Sequence, residues 1–112
     1  MAGKVPETFD AADPAASQPA AVQAAFERLR AAFIAGLPGR WQEIDTAATG
    51  PLRRAALHRL AGASGSYGLL ALGDAAHRAE RLCGAGPSPA LVEGQAQALQ
   101  EVRLLIEGAG FA

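Results

Sequence analysis

Residues 58–68 read HRLAGASGSYG, a histidine followed by glycines at 62, 65 and 68 within an otherwise strongly helical stretch. Glycine in a helix interior costs roughly 1 kcal/mol relative to alanine, so Gly62 and Gly65 just downstream of one histidine need a reason. The flanking residues supply the frame for it. Leu52, Ala56, Leu60, Ala63 and Tyr67 recur at spacings of three and four, which at about 100° per residue confines them to a sector of roughly 80°. This stripe predicts a helix from Pro51 to near Gly68, with Thr49-Gly50-Pro51 as its punctuation, Pro51 in its first turn and Gly68 as a left-handed cap. His58 falls roughly 160 to 200° from the centre of the stripe and is therefore expected to face water. Arg54, Ala61 and Gly65 are expected on the histidine's side, with Gly62 close behind, so the surface beside the imidazole is cleared of bulk.

Outward from this segment the chain keeps a helical period. Val22, Phe26, Leu29 and Phe33 form an apolar stripe that continues through Leu37, Trp41, Ile44 and Ala48. Pro38 and Gly39 interrupt it, and a proline there removes the hydrogen bond to the carbonyl of Ile34. One long helix kinked at that point is expected, with two abutting helices as the alternative. On the other side, Leu72, Ala75, Ala76, Ala79 and Leu82 mark a helix from about Leu70 to Cys83, and residues 84–87 break it. Ser88-Pro89 then opens a last helix carrying Leu91, Val92, Gln95, Leu99, Val102 and Ile106 to about Glu107. No strand-like alternation and no internal repeat competes. The expected fold is all-α, an antiparallel up-down four-helix bundle over residues 20–108. Residues 1–19, with Pro6, Pro14 and Pro19, are expected to form a flexible, loosely ordered N-terminal segment.

The 112 residues suffice for one domain with a modest core, since a chain of this size buries about two-thirds of its unfolded surface. Alanine supplies much of the hydrophobic half of the composition, which points to helices packed through small side chains. A formal net charge of -1 gives no basic footprint for nucleic acid. The absence of a long apolar run and of a basic-then-apolar N-terminus leads to the expectation of no membrane span, no secretory signal and a cytoplasmic location. The single Cys83 reads as a small buried hydrophobe. Asp74, His77, Glu80 and Cys83 do not cluster with zinc-ligand spacing, so no metal site is expected and His77 reads as an ordinary helix histidine. Neither a Walker-type phosphate loop nor a Ser-His-Asp constellation is present.

A neutral imidazole in water is a competent nucleophile near neutral pH, and one standing in a smooth clearing suits a macromolecular donor docking over it. The residues here resemble the histidine-containing phosphotransfer (HPt) domain of bacterial and fungal phosphorelays. Its signature is His, any residue, an aliphatic residue, Lys or Arg, Gly, a small residue, Ser or Ala, three variable residues, then Gly. His58, Leu60, Gly62, Ala63, Ser64 and Gly68 match in place and spacing, and FIAGLPGRWQEIDTAATG before them and LALGDAAHRAERL after them read like the same family. The resemblance spans roughly Ala20 to Ile106.

It implies that His58 accepts a phosphoryl group from the aspartyl phosphate of a receiver domain, in a response regulator or hybrid histidine kinase, and passes it to another receiver. It also implies a monomeric phosphocarrier rather than an enzyme. Such a domain has no ATP site and no cofactor of its own, and Mg²⁺ is expected on the partner receiver. Leu60, Ser64 and Gly68 are then structural motif residues. Arg54, Arg59, Ala61, Gly62 and Gly65 form the surface for phosphate and partner. One departure stands out: Ala61 occupies the position where the family commonly has Lys or Arg. Arg54, one turn before His58, is the expected substitute, with Arg59, Arg78 and Arg81 as weaker candidates. The rival reading is a degenerate HPt-like bundle that binds a receiver or kinase as a scaffold or inhibitor without phosphotransfer. The dimerisation domain of a histidine kinase fits less well, because Arg59 stands where an acidic residue usually follows the histidine and one chain supplies four helices.

Overall fold

The computed structural model describes residues 19–83 and 88–109. The expected flexible segment at 1–19, Pro19 aside, and the expected break at 84–87 lie outside them. Among the described residues five helices follow in order: α1 (Ala20–Ala35), α2 (Leu37–Asp45), α3 (Gly50–Ser66), α4 (Leu70–Leu82) and α5 (Pro89–Ala109). Two compact units divide the chain, one running through Ala32 and the other from Phe33.

In the first unit, Val22, Phe26 and Leu29 of α1 are exposed rather than forming a buried stripe. The interruption of the long N-terminal period falls at Gly36, two residues before Pro38, so two abutting helices form in place of one kinked helix. Pro38 then sits in the first turn of α2, where its missing N–H leaves no bond unmade. Ala48 lies beyond α2 and is exposed.

In the second unit α2, α3, α4 and α5 close a ring in which each helix packs on the next and α5 returns to α2. Contacts run in opposite order along consecutive helices. His58 meets Glu80 whereas Ala61 and Gly65 lie against Gly73, and Arg78 pairs with Glu101 whereas Leu82 reaches Gly94. These pairings make the bundle antiparallel, as the short connections require. Leu37, Ile44, Leu57, Leu60, Ala75, Ala76, Ala79 and Val102 are fully buried at its centre. The small α4 residues let the neighbouring helices approach closely.

α3 starts as expected: the Thr49 hydroxyl accepts the Leu52 N–H, and Pro51 lies in the first turn. It ends in a Schellman motif. Gly68 has φ +77°, its N–H reaches the Gly65 carbonyl at 3.1 Å, and the Leu69 N–H reaches the Ser64 carbonyl at 2.9 Å. Arg53 fixes the N-terminal half of α3 against α2, donating from Nε to the Ile44 carbonyl at 2.9 Å and from Nη2 to the Asp45 carbonyl at 3.3 Å. Those carbonyls belong to the last turn of α2, which lacks intrahelical partners and carries partial negative charge.

The inward face of α3 departs from the expectation. It consists of Ala56, Leu57, Leu60, Ala61 and Ser64, while Leu52 is exposed and Ala63 and Tyr67 are half-buried. At 100° per residue the observed face is turned by about 70° from the predicted one. Gly73 of α4 explains the turn, because a Cβ there would lie 3.4 Å from the Ala61 carbonyl oxygen and 3.8 Å from the Ser64 Cβ. The two helices meet through their smallest residues, so the tightest seam is not where the largest apolar side chains lie. Tyr67, at the end of α3, stacks on Phe33 with ring centroids 5.0 Å apart, and the Arg40 guanidinium lies over the Phe33 ring, 5.0 Å from its centroid.

Candidate functional site

His58 projects from the middle of α3 with 70 % of its side chain exposed. Its backbone lies between the Leu57 and Leu60 anchors in the core, so the imidazole stands on a rigid base. Gly62 and Gly65 are exposed, and a Cβ built on either meets nothing within 4 Å. The fold therefore does not demand glycine at these two positions, and alanine would favour the helix. The clearing beside the histidine is real, and internal packing does not account for it.

Ala61 does not belong to that clearing. Only 3 % of it is accessible, and its backbone carbonyl lies against Gly73. The position where the family commonly carries a cation thus enters the α3–α4 seam, which accommodates alanine. Ser64 is fully buried beside it, and its hydroxyl has no hydrogen-bond partner. Its small size, rather than its polarity, fits the seam. Leu60 is buried and Gly68 caps the helix, consistent with structural roles.

The imidazole has a partner on the neighbouring helix. His58 Nδ1 lies 3.0 Å from Glu80 Oε2 on α4, within hydrogen-bond distance. The Glu80 side chain is only 16 % exposed, and its second oxygen lies 3.5 Å from Nδ1 of His77, one turn earlier on α4. Twenty-two residues separate His58 from Glu80, so their contact follows from the antiparallel register of α3 and α4. With Nδ1 facing a carboxylate, the ring's favoured neutral tautomer carries its proton on Nδ1 and its lone pair on Nε2.

An open groove of about 580 Å³ runs beside the histidine, lined by Pro51, Arg54, Ala55, His58, Glu80 and Cys83 among others. Arg54 is exposed, and no acidic group among the described residues pairs with it. Arg59 also lines the groove, but its guanidinium pairs with Glu43 of α2. Arg78 is committed to Glu101 of α5 at 2.7 Å, and that hydrogen bond and charge raise its pKa above the ordinary arginine value. Cys83 is buried at the groove wall, as a small hydrophobe would be. Among the described residues no group of three or more His, Cys, Asp or Glu is placed to hold a metal ion, and no helix is long and apolar enough to cross a membrane.

This arrangement amounts to an exposed imidazole, held through Nδ1 by a carboxylate, with an arginine one turn away lining the same open groove. A family model described as Hpt domain matches residues 21–109. Neither a curated protein nor a solved structure matches the chain.

Proposed function

Since the chain belongs to the Hpt domain family, whose members are phosphocarriers, we propose that it relays a phosphoryl group between receiver-domain aspartates through His58. One observation carries this reading: the exposed His58 imidazole is held through Nδ1 by Glu80 at 3.0 Å, beside glycines whose missing side chains no internal contact requires.

The geometry supports the following steps. A receiver docks over the Gly62–Gly65 clearing and brings its aspartyl phosphate in line with Nε2 of His58. The Nε2 lone pair attacks phosphorus, the N–P bond forms, and the acyl P–O bond breaks with its electron pair leaving on the receiver's aspartate. The ring becomes a phosphoimidazolium with its proton still on Nδ1, and the Glu80 carboxylate stabilises the positive charge that develops there. Arg54 offers the phosphoryl oxygens a cation in place of the one that Ala61 lacks. Mg²⁺ is expected on the partner receiver, and no cofactor on this chain takes part. Transfer to a second receiver reverses these steps. In this reading the protein acts as a cytoplasmic monomer without an ATP site, and its partners are receiver domains of response regulators or hybrid kinases.

Incubation with phosphorylated receiver domains from the same genome tests the proposal. The expected result is acid-labile, alkali-stable label that His58→Gln abolishes, with Arg54→Ala slowing transfer or shortening the lifetime of the phosphohistidine. Tight receiver binding without label would instead favour the scaffold or inhibitor reading. Unchanged rate and lifetime in Arg54→Ala would remove Arg54 from the site.

A further inference from the structure

Arg59 follows His58 directly on α3 and lines the same groove, yet its Nη2 donates to Oε2 of Glu43 on α2. Two adjacent residues of α3 thus lean to opposite neighbours. His58 turns Nδ1 to Glu80 of α4, which leaves the Nε2 lone pair pointing away from that carboxylate, while Arg59 reaches to α2. A phosphoryl group on Nε2 would enter a groove that Arg59 already borders.

The hold of Glu43 on Arg59 is weak. Both side chains are 55 % exposed, and in an ion pair so open to water the solvent screens the attraction while the ordering of two long side chains opposes it. A phosphoryl group carries nearly two negative charges and three acceptor oxygens, where a carboxylate carries one charge and two oxygens. A guanidinium fork suits either anion, so the more highly charged one wins it. Ala61, buried in the α3–α4 seam, brings no cation of its own to this charge.

We propose that Arg59 is an exchangeable cation: it leaves Glu43 for the phosphoryl oxygens once His58 is phosphorylated, and Glu43, by competing for the guanidinium, limits how firmly the group is held. The exchange rests on His58 as phosphoacceptor and adds to Arg54 a second cation, controlled from α2. Glu43 is a positioning residue, because it acts through Arg59 alone. In a loose transition state the departing phosphoryl group has shed part of its charge, so a cation on its oxygens stabilises the phosphohistidine more than the transition state and lengthens its life. Competition from Glu43 shortens that life and keeps the group transferable.

Chemical phosphorylation separates the exchange from the relay. Phosphoramidate serves as donor: the ring nitrogen attacks phosphorus, the donor's P–N bond breaks with its electron pair on nitrogen, and ammonia leaves. With His77→Gln in place, His58 is the one histidine left in the chain. Nitrogen-15 NMR of the arginine side chains is expected to show the Arg59 Nε–H signal move on phosphorylation. Glu43→Gln is expected to lengthen the phosphohistidine half-life about two- to fivefold, the scale of an exposed charge pair. Arg59→Gln is expected to shorten it, and adding Glu43→Gln to Arg59→Gln is expected to change nothing further. An Arg59 signal that phosphorylation leaves in place, an unchanged half-life in Glu43→Gln, or the same lengthening without Arg59 overturns the proposal. So does a His58 that takes no phosphate from phosphoramidate. The expected signal and half-lives in a protein that no phosphorylated receiver labels uphold the exchange and contradict the relay instead.

Discussion

On the inward side of α3, Ala61 and Ser64 are buried, and a Cβ at Gly73 of the facing helix would come within 3.4 Å of the Ala61 carbonyl oxygen. On the outward side of the same helix, Gly62 and Gly65 are exposed, and a Cβ on either meets nothing within 4 Å. Small residues occupy both sides for opposite physical reasons. Inside, they let two backbones approach, and their size is fixed by a neighbour that is present. Outside, they leave space that nothing in the chain fills, at a cost in helix propensity. In the proposed function, that open space is where a receiver docks.

Leucine on each side separates the two cases most sharply. Gly73→Leu places a large side chain in the seam and is expected to destabilise the bundle by about 1–3 kcal/mol or more, read as a lowered denaturation midpoint. Gly65→Leu is expected to leave stability unchanged or raised, while cutting transfer from a phosphorylated receiver on the order of tenfold through weaker docking. If Gly65→Leu transferred at the original rate, the clearing would have no role in docking. If it unfolded the protein, the outward face would be a packed one.

Alanine gives a smaller effect of the same kind. Gly62→Ala and Gly65→Ala are each expected to stabilise the protein by about 0.5–1 kcal/mol, because they add helix propensity and meet no neighbour. A modest rise in the receiver concentration needed for half-maximal transfer should accompany that gain. Stabilisation without any change in transfer would reduce the outward glycines to composition.

The contrast also shows what the sequence could and could not disclose. The Gly68 cap, the Thr49 start, the antiparallel helical bundle and the exposure of His58 are legible because each follows from local backbone rules or from strong periodicity. The inward face of α3 was legible only in part. Weighting Leu52 and Tyr67 as core anchors turns the helix by about 70°, because a close helix seam selects small residues that hydrophobic periodicity undervalues. The same weighting puts Ala61 beside His58, whereas it belongs to the seam. The break before α2 was displaced for a similar reason: Pro38 suits a first helical turn as well as it disrupts an interior one.

Glu80 was hidden for a different reason. Its link to His58 depends on which residues of α3 and α4 come level when the two helices pack antiparallel, and no local pattern encodes that register. The pair at His77 and Glu80 was visible as an i,i+3 spacing, but without the register it had no histidine to act upon. Sequence thus pointed to His58, and packing located the carboxylate beside it.

The most direct test of the account is the chemical site of the phosphoryl group. Protein labelled with nitrogen-15 and phosphorylated by a receiver can be examined by long-range proton–nitrogen correlation on its histidine rings. The account predicts a single phosphorylated nitrogen, Nε2 of His58, with Nδ1 still protonated toward Glu80. Phosphate on Nδ1 of His58, or on His77, would contradict it.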